Sequence, residues 1–253
     1  MLRYLAATPD QLPLARSFTA HIAHVAYRIG ADGHLLRSQL PPTLRGGLMI
    51  VSDGDAPTVS QPALLCEQII RECLQRNYSG IVLDLESPNA DKNFIRQLDS
   101  AVLPYHRKLF VPEAWAHCTQ YASILLCSAL SGGSLQQRLS QAVAQHSPSR
   151  LALDGQRLAM DFSLPCPDGC GTPLTVAQLR QRMAGRSVFF SDALCARYFT
   201  YRAGEETHFV LFDDADTLRR KTEIAAALGI DTTFFMLPEV SDILPDLFDD
   251  EEK

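Results

Sequence analysis

The chain has 253 residues, of which 46% are hydrophobic and 21% charged, and a formal net charge of -6. That length suits one closed α/β barrel or two smaller domains, and the composition is that of a globular protein able to bury a large core. The acidic balance argues against non-specific nucleic-acid binding, and no run of 18 apolar residues offers a membrane span.

Seven cysteines, scattered through apolar segments, fit reduced and buried thiols better than a secreted disulfide framework. The opening MLRYLAA is interrupted too soon by Pro9, Asp10 and Pro13 to form the apolar region of a signal peptide. The expectation is a cytoplasmic protein.

Residues 18–29 (FTAHIAHVAYRI) predict a strand, followed by the Ala31-Asp32-Gly33 turn and a second short stretch at 34–36. Residues 46–53 (GGLMIVSD) predict a buried strand ending in Ser52 and Asp53. Leu64, Leu65, Ile69, Ile70, Cys73 and Leu74 mark one face of a helix over 61–75. That helix feeds the stretch 78–86 (YSGIVLDLE), a glycine-opened aliphatic run closing on two carboxylates. Strand alternation puts Val82, Asp84 and Glu86 on one face and Ile81, Leu83 and Leu85 on the other. With the aliphatic face against helices, the acids point into a barrel interior or its mouth, at the carboxyl end where α/β enzymes place their chemistry.

The unit repeats. A helix is predicted over 93–103, a strand over 108–112 ending in Glu113-Ala114-Trp115, a strand over 122–128, a helix over 134–145, and a strand over 157–164 before a loop rich in Pro, Gly and Cys. A short helix over 174–184, a strand-like segment at 186–190, a strand at 207–212, a helix at 215–228 and a strand at 232–237 complete the series, and 246–253 reads as a solvated acidic tail. Strands alternating with helices imply a parallel sheet with helical crossovers. About eight of them in this length favour a (β/α)8 TIM barrel, a compact single domain over residues 1–245, with an open doubly wound sheet as the alternative.

Asp84 and Glu86 lead the candidate site residues. Tyr27, Asp53, Glu113, Trp115, Asp161 and Glu239 stand at strand ends and are candidates for binding substrate at the same rim. Each has a structural alternative: core packing for Tyr27 and Trp115, a hydrogen-bonded structural acid for Asp161, a helix start for Glu239. Cys166 and Cys170 lack the second pair of a structural zinc site, and His21 and His24 on a strand face opposite ways, so no metal is expected. Asp213 and Asp214 are expected to cap the helix from Ala215. Gly46-Gly47 and Gly132-Gly133 lack the spacing of a nucleotide fingerprint, and there is no Gly-x-Ser-x-Gly elbow. No organic cofactor is called for.

SGIVLDLE at 79–86 resembles the fourth strand of the family 18 glycoside hydrolases, the chitinase-like (β/α)8 barrels that include spore-cortex enzymes. That strand reads Asp-Gly-x-Asp-x-Asp-x-Glu, and the glycine and last acid pair match. The stretch 208–230 (HFVLFDDADTLRRKTEIAAALGI) is similar to the family's late segment, GGLMIVSDG resembles its third strand, KLFVPEAW its fifth and HIAHVAYRIGADGHL its second. The resemblance implies a carbohydrate ligand containing N-acetylglucosamine, such as chitin or peptidoglycan fragments. It makes Glu86 the general acid and Asp84 the residue orienting an N-acetyl group whose carbonyl oxygen attacks the anomeric carbon. The chain departs from the pattern in three places. Ser79 and Val82 stand at the two earlier acidic positions, ILLCSAL at 124–130 has no counterpart of the sixth-strand tyrosine, and TTFFML at 232–237 none of the last-strand tryptophan. Expectation therefore divides between a divergent glycoside hydrolase and a catalytically silent barrel that binds glycan or a protein partner.

Overall fold

The computed structural model describes residues 1–54 and 59–248. Eight parallel strands form a barrel: in order Leu2–Ala7, Ile22–Ile29, Leu48–Ser52, Gly80–Asp84, Lys108–Pro112, Ser123–Cys127, Leu151–Asp154 and Thr232–Met236. Each strand pairs with the next, and the first pairs with both the second and the eighth, so the sheet closes on itself. The fold is the (β/α)8 barrel, not the open sheet.

Closure explains why these strands read as unbroken apolar runs: both faces are covered. Ala6, Ala23, Leu48, Ile50, Val82, Phe110, Ala152 and Phe234 pack together inside the barrel. Leu5, Met49, Val51, Ile81, Leu83 and Val111 pack outward, against the helix layer. Helix Pro62–Gln75 starts on a proline, and helix Lys92–Ala101 is capped by Asp91, whose carboxylate accepts from the Asn93 and Phe94 amides. Between the second and third strands there is no long helix; the short strand Leu35–Arg37 folds back antiparallel on the second.

Two barrel strands differ from expectation. Leu2–Ala7 is the first of them, a stretch to which the sequence pattern assigns no strand. The seventh is Leu151–Asp154, four residues long, not 157–164. The segments 157–164, 186–190 and 207–212 belong instead to a separate five-stranded antiparallel sheet inserted between the seventh and eighth strands. In spatial order it contains Thr172–Pro173, Ala159–Leu164, Glu206–Phe212, Ala196–Ala203 and Phe189–Ser191. Helix Val176–Met183 covers one face through Leu179, packed with Phe199, Val210 and Phe212. Outer segments of these strands carry polar, exposed residues such as Ser163, Thr200 and Glu206, unlike the barrel strands.

The insertion is fastened at its root. Two hydrogen bonds join Leu158 and Asp213: Asp213 N donates to Leu158 O at 2.7 Å, and the Asp213 carboxylate accepts from Leu158 N at 3.0 Å. The same carboxylate accepts from Thr217 Oγ1 at 2.8 Å and pairs with Lys221 Nζ at 2.7 Å, both partners fully buried. Asp214, not Asp213, caps helix Ala215–Ala227. The acidic tail expected at 246–253 begins within helix Leu244–Phe248, whose Leu244, Leu247 and Phe248 are buried; residues 249–253 lie outside the described residues. Among the described residues no helix is long and apolar enough to cross a membrane.

Candidate functional site

The carboxyl ends of the barrel strands surround a cavity of about 320 Å³. Its walls are mostly apolar, with Ile50, Val82, Leu125, Phe234 and Met236 among them, and four titratable side chains reach it: Asp84, Glu113, Cys127 and Asp154. A larger groove of about 850 Å³ lies on the outer surface between helices Pro62–Gln75 and Lys92–Ala101, away from every strand end.

Asp84 is the last residue of the fourth strand, inward like Val82 two residues before it. Its side chain opens to solvent through the mouth, yet protein surrounds the carboxyl on its other sides. That enclosure, and then the charges of Glu86 and Asp53, raise its pKa above the ordinary carboxylate value. Glu86 follows on the exposed loop beyond the strand. Asp53 does not face outward as a binding group. It is buried at the end of the third strand, and its carboxylate accepts from the backbone amides of Glu86 at 3.3 Å and Ser87 at 2.8 Å, fixing the loop that carries Glu86.

Asp154, the last residue of the seventh strand, is a functional candidate the sequence reading missed. Burial first, then the charges of Glu239 and Asp84, push its pKa up to about 6. Cys127 ends the sixth strand, where the resemblance calls for a tyrosine. Its thiol donates to Gln156 Oε1 at 3.2 Å and is pushed up by burial and by Asp154. Glu113 reaches the cavity with its carboxylate ion-paired to Arg138. Glu239 stands beside the mouth, accepting from the Arg157 amide at 3.0 Å.

Three candidates lie elsewhere. Tyr27 is turned into the helix layer, 4% exposed, with its hydroxyl on Glu72 at 2.9 Å and Tyr78 at 3.0 Å. The cause is a β-bulge: Val25 pairs with Ile50 but Tyr27 with Val51, so the alternation that keeps Ala23 and Val25 inward is broken before Tyr27. Trp115 sits in the 3-10 turn Glu113–Cys118, which swings its ring outward into the helix-side core, where it is 5% exposed and no platform for a sugar. Asp161 belongs to the inserted sheet. It is buried there among Tyr201 Oη at 2.7 Å, His208 Nδ1 at 3.0 Å and the Arg182 guanidinium, a hydrogen-bonded structural acid. Among the described residues no group of three or more His, Cys, Asp or Glu is arranged to hold a metal.

No protein-family model and no curated protein matches the sequence. Solved structures do match in shape. The chain superposes on the spore cortex-lytic enzyme SleL of Bacillus megaterium QM B1551 with a TM-score of 0.66 at 14% identity, over 98% of this chain and 74% of that one. A chitinase of Chromobacterium violaceum ATCC 12472 gives 0.67 at 17% identity, over 96% and 97%. A class V chitinase of Pseudomonas fluorescens Pf-5 gives 0.66 at 15%, over 96% and 98%. At such identities the likeness is one of fold: a divergent, chitinase-like TIM barrel.

Proposed function

We propose that the chain acts on glycans containing N-acetylglucosamine, chitin or peptidoglycan fragments, as a divergent retaining glycoside hydrolase with Glu86 as general acid. The observation that carries this reading is the pairing of Asp84 and Glu86 at the mouth of a chitinase-like barrel. One carboxyl turns into the cavity at the end of the fourth strand, and the other follows on a loop whose backbone is held by Asp53. A sugar residue seated in the cavity has its ring against apolar wall and its scissile oxygen toward Glu86. The acid gives its proton to that oxygen as the bond to the anomeric carbon breaks. Asp84 accepts the N-H of the substrate's acetamido group and so directs its carbonyl oxygen at the anomeric carbon, the substrate-assisted route in which no enzyme carboxylate attacks. Water then opens the cyclic intermediate, with Glu86 as the base that receives its proton.

A second reading, a catalytically silent glycan-binding barrel, draws on the sixth and eighth strand ends, where Cys127 and Met236 offer neither a phenol nor an indole to the cavity. The two separate on product release from N-acetylglucosamine oligomers and peptidoglycan fragments, comparing the native chain with Glu86→Gln, which keeps the side chain's shape and removes the acid. Release lost in the variant supports the hydrolase. Saturable binding by both without release supports the silent barrel, and binding by neither defeats both readings.

A further inference from the structure

The cavity poses a donor problem. Among the described residues that line it, no serine, threonine, asparagine, tyrosine, lysine or arginine is present, and the Cys127 thiol is turned to Gln156. The polar groups that remain are carboxyls. Two of them, Asp84 and Asp154, are the last residues of the fourth and seventh strands and line the same mostly apolar cavity. Two carboxyls facing one small apolar space do not both ionise cheaply, and the second to ionise does so above the ordinary carboxylate range.

We infer that Asp154 is the cavity's hydrogen-bond donor, holding a proton that it presents to the carbonyl oxygen of the substrate's acetamido group while ionised Asp84 accepts from the amide N-H. This rests on the glycan reading above and adds a residue to it. A secondary amide offers one N-H and one C=O, and therefore asks for one acceptor and one donor. A carboxylate and a protonated carboxyl are that complement, and Val82, Leu125, Phe234 and Met236 supply an apolar seat for the methyl group. A hydroxyl, which donates and accepts, asks for no such division.

The surroundings assign the proton to Asp154 rather than Asp84. Asp154 faces Asp84 from the fourth strand, Glu113 from beyond the fifth with its charge offset by Arg138, Cys127 from the sixth, and Glu239 from beyond the eighth, where Arg157 binds that residue's backbone and carboxylate. Two cations with little exposure are already engaged, Lys221 with Asp213 and Arg157 with Asp242. Asp84, by contrast, opens to solvent. Burial and the Glu239 and Asp84 charges bring Asp154 to about 6.

The test is binding of a chitin tetrasaccharide by calorimetry between pH 5 and 8, with every protein carrying Glu86→Gln so that turnover does not intervene. Affinity is expected to fall about tenfold from pH 6 to pH 8 as Asp154 loses its proton. Adding Asp154→Asn supplies an N-H donor at every pH, and its profile is expected to be flat. Adding Asp154→Leu is expected to bind weakly throughout. The equivalent glucose tetrasaccharide, lacking acetamido groups, is expected to bind at least tenfold more weakly at pH 5. A carboxyl-carbon NMR titration of Asp154 in the native chain, which needs no variant, is expected to show it protonated at pH 5. Persistence of the pH dependence in Asp154→Asn, or a carboxyl already ionised at pH 5, overturns the inference and leaves the glycan reading standing. Failure of the folded protein to bind any N-acetylated glycan at pH 5 overturns both.

Discussion

Replacing Lys221 by Met leaves the Asp213 carboxylate in a fully buried position without its counter-ion, at the root where the inserted sheet leaves and rejoins the barrel. The carboxylate keeps two donors, Leu158 N and Thr217 Oγ1, but loses the 2.7 Å ammonium contact. Breaking a buried pair on one side costs about 3–5 kcal/mol. For a chain of this size that lowers the melting temperature by about 6–20 °C, at roughly 2–4 °C per kcal/mol. Urea unfolding at pH 7 measures it directly. The sign with pH is fixed: stranded Asp213 has a folded pKa above its unfolded value of about 3.9, so the penalty is full above the folded pKa, fades as pH falls through it and is gone below the unfolded value. The double variant Lys221→Met, Asp213→Asn is expected to cost less than the two single losses together, by about 1–3 kcal/mol. A loss below about 1 kcal/mol for Lys221→Met, or strict additivity in the double variant, refutes the view that this pair fastens the insertion.

Two further outcomes are expected. Asp53→Ala removes the acceptor for the Glu86 and Ser87 amides, which water replaces in part because the loop faces solvent; stability falls by about 1–2 kcal/mol, while turnover of chitin oligomers falls at least tenfold with little change in KM. Unchanged turnover would show that Asp53 does not set the place of Glu86. His24 is buried, with its pKa lowered to about 4 by burial and by the Arg16 and Arg76 charges, so the folded state binds fewer protons than the unfolded state below pH 6.5. Its contribution is full above pH 6.5 and is lost as pH falls toward 4, about 3 kcal/mol in all, and His24→Leu is expected to flatten that acid limb in urea midpoints taken at pH 7 and pH 5. An unaltered slope would place the acid sensitivity in other groups.

The fourth strand was legible because its chemistry and its packing agree: Gly80 admits the close approach of Lys108, the aliphatic positions are buried on both faces, and the strand ends on Asp84. The second, third, fifth and eighth strands are legible for the same reason, as runs buried on both faces, and the sixth as a short aliphatic run. Asp154 was not. Its strand is only four residues long, and the stronger alternating pattern of Ala159–Leu164 just beyond it takes the place of the seventh strand in any reading by periodicity. Tyr27 was misplaced by a bulge, which leaves no mark in composition, and Trp115 by a 3-10 turn that redirects its side chain immediately after a strand. The inserted sheet reads as part of the barrel in the sequence because its strands look like barrel strands until their pairing partners are known.

The pairing of the first strand with the eighth has a consequence during synthesis. Leu2 meets Thr232 across 230 positions of chain. At about 5–20 residues per second, the first strand waits roughly 12–46 s for its neighbour, with an unpaired edge meanwhile. Phe234 and Met236 arrive with that last strand and Glu239 just after it, so the enclosure and the charge that raise Asp154 are absent until then. The surroundings that raise Asp154 are therefore completed by the closing of the barrel itself.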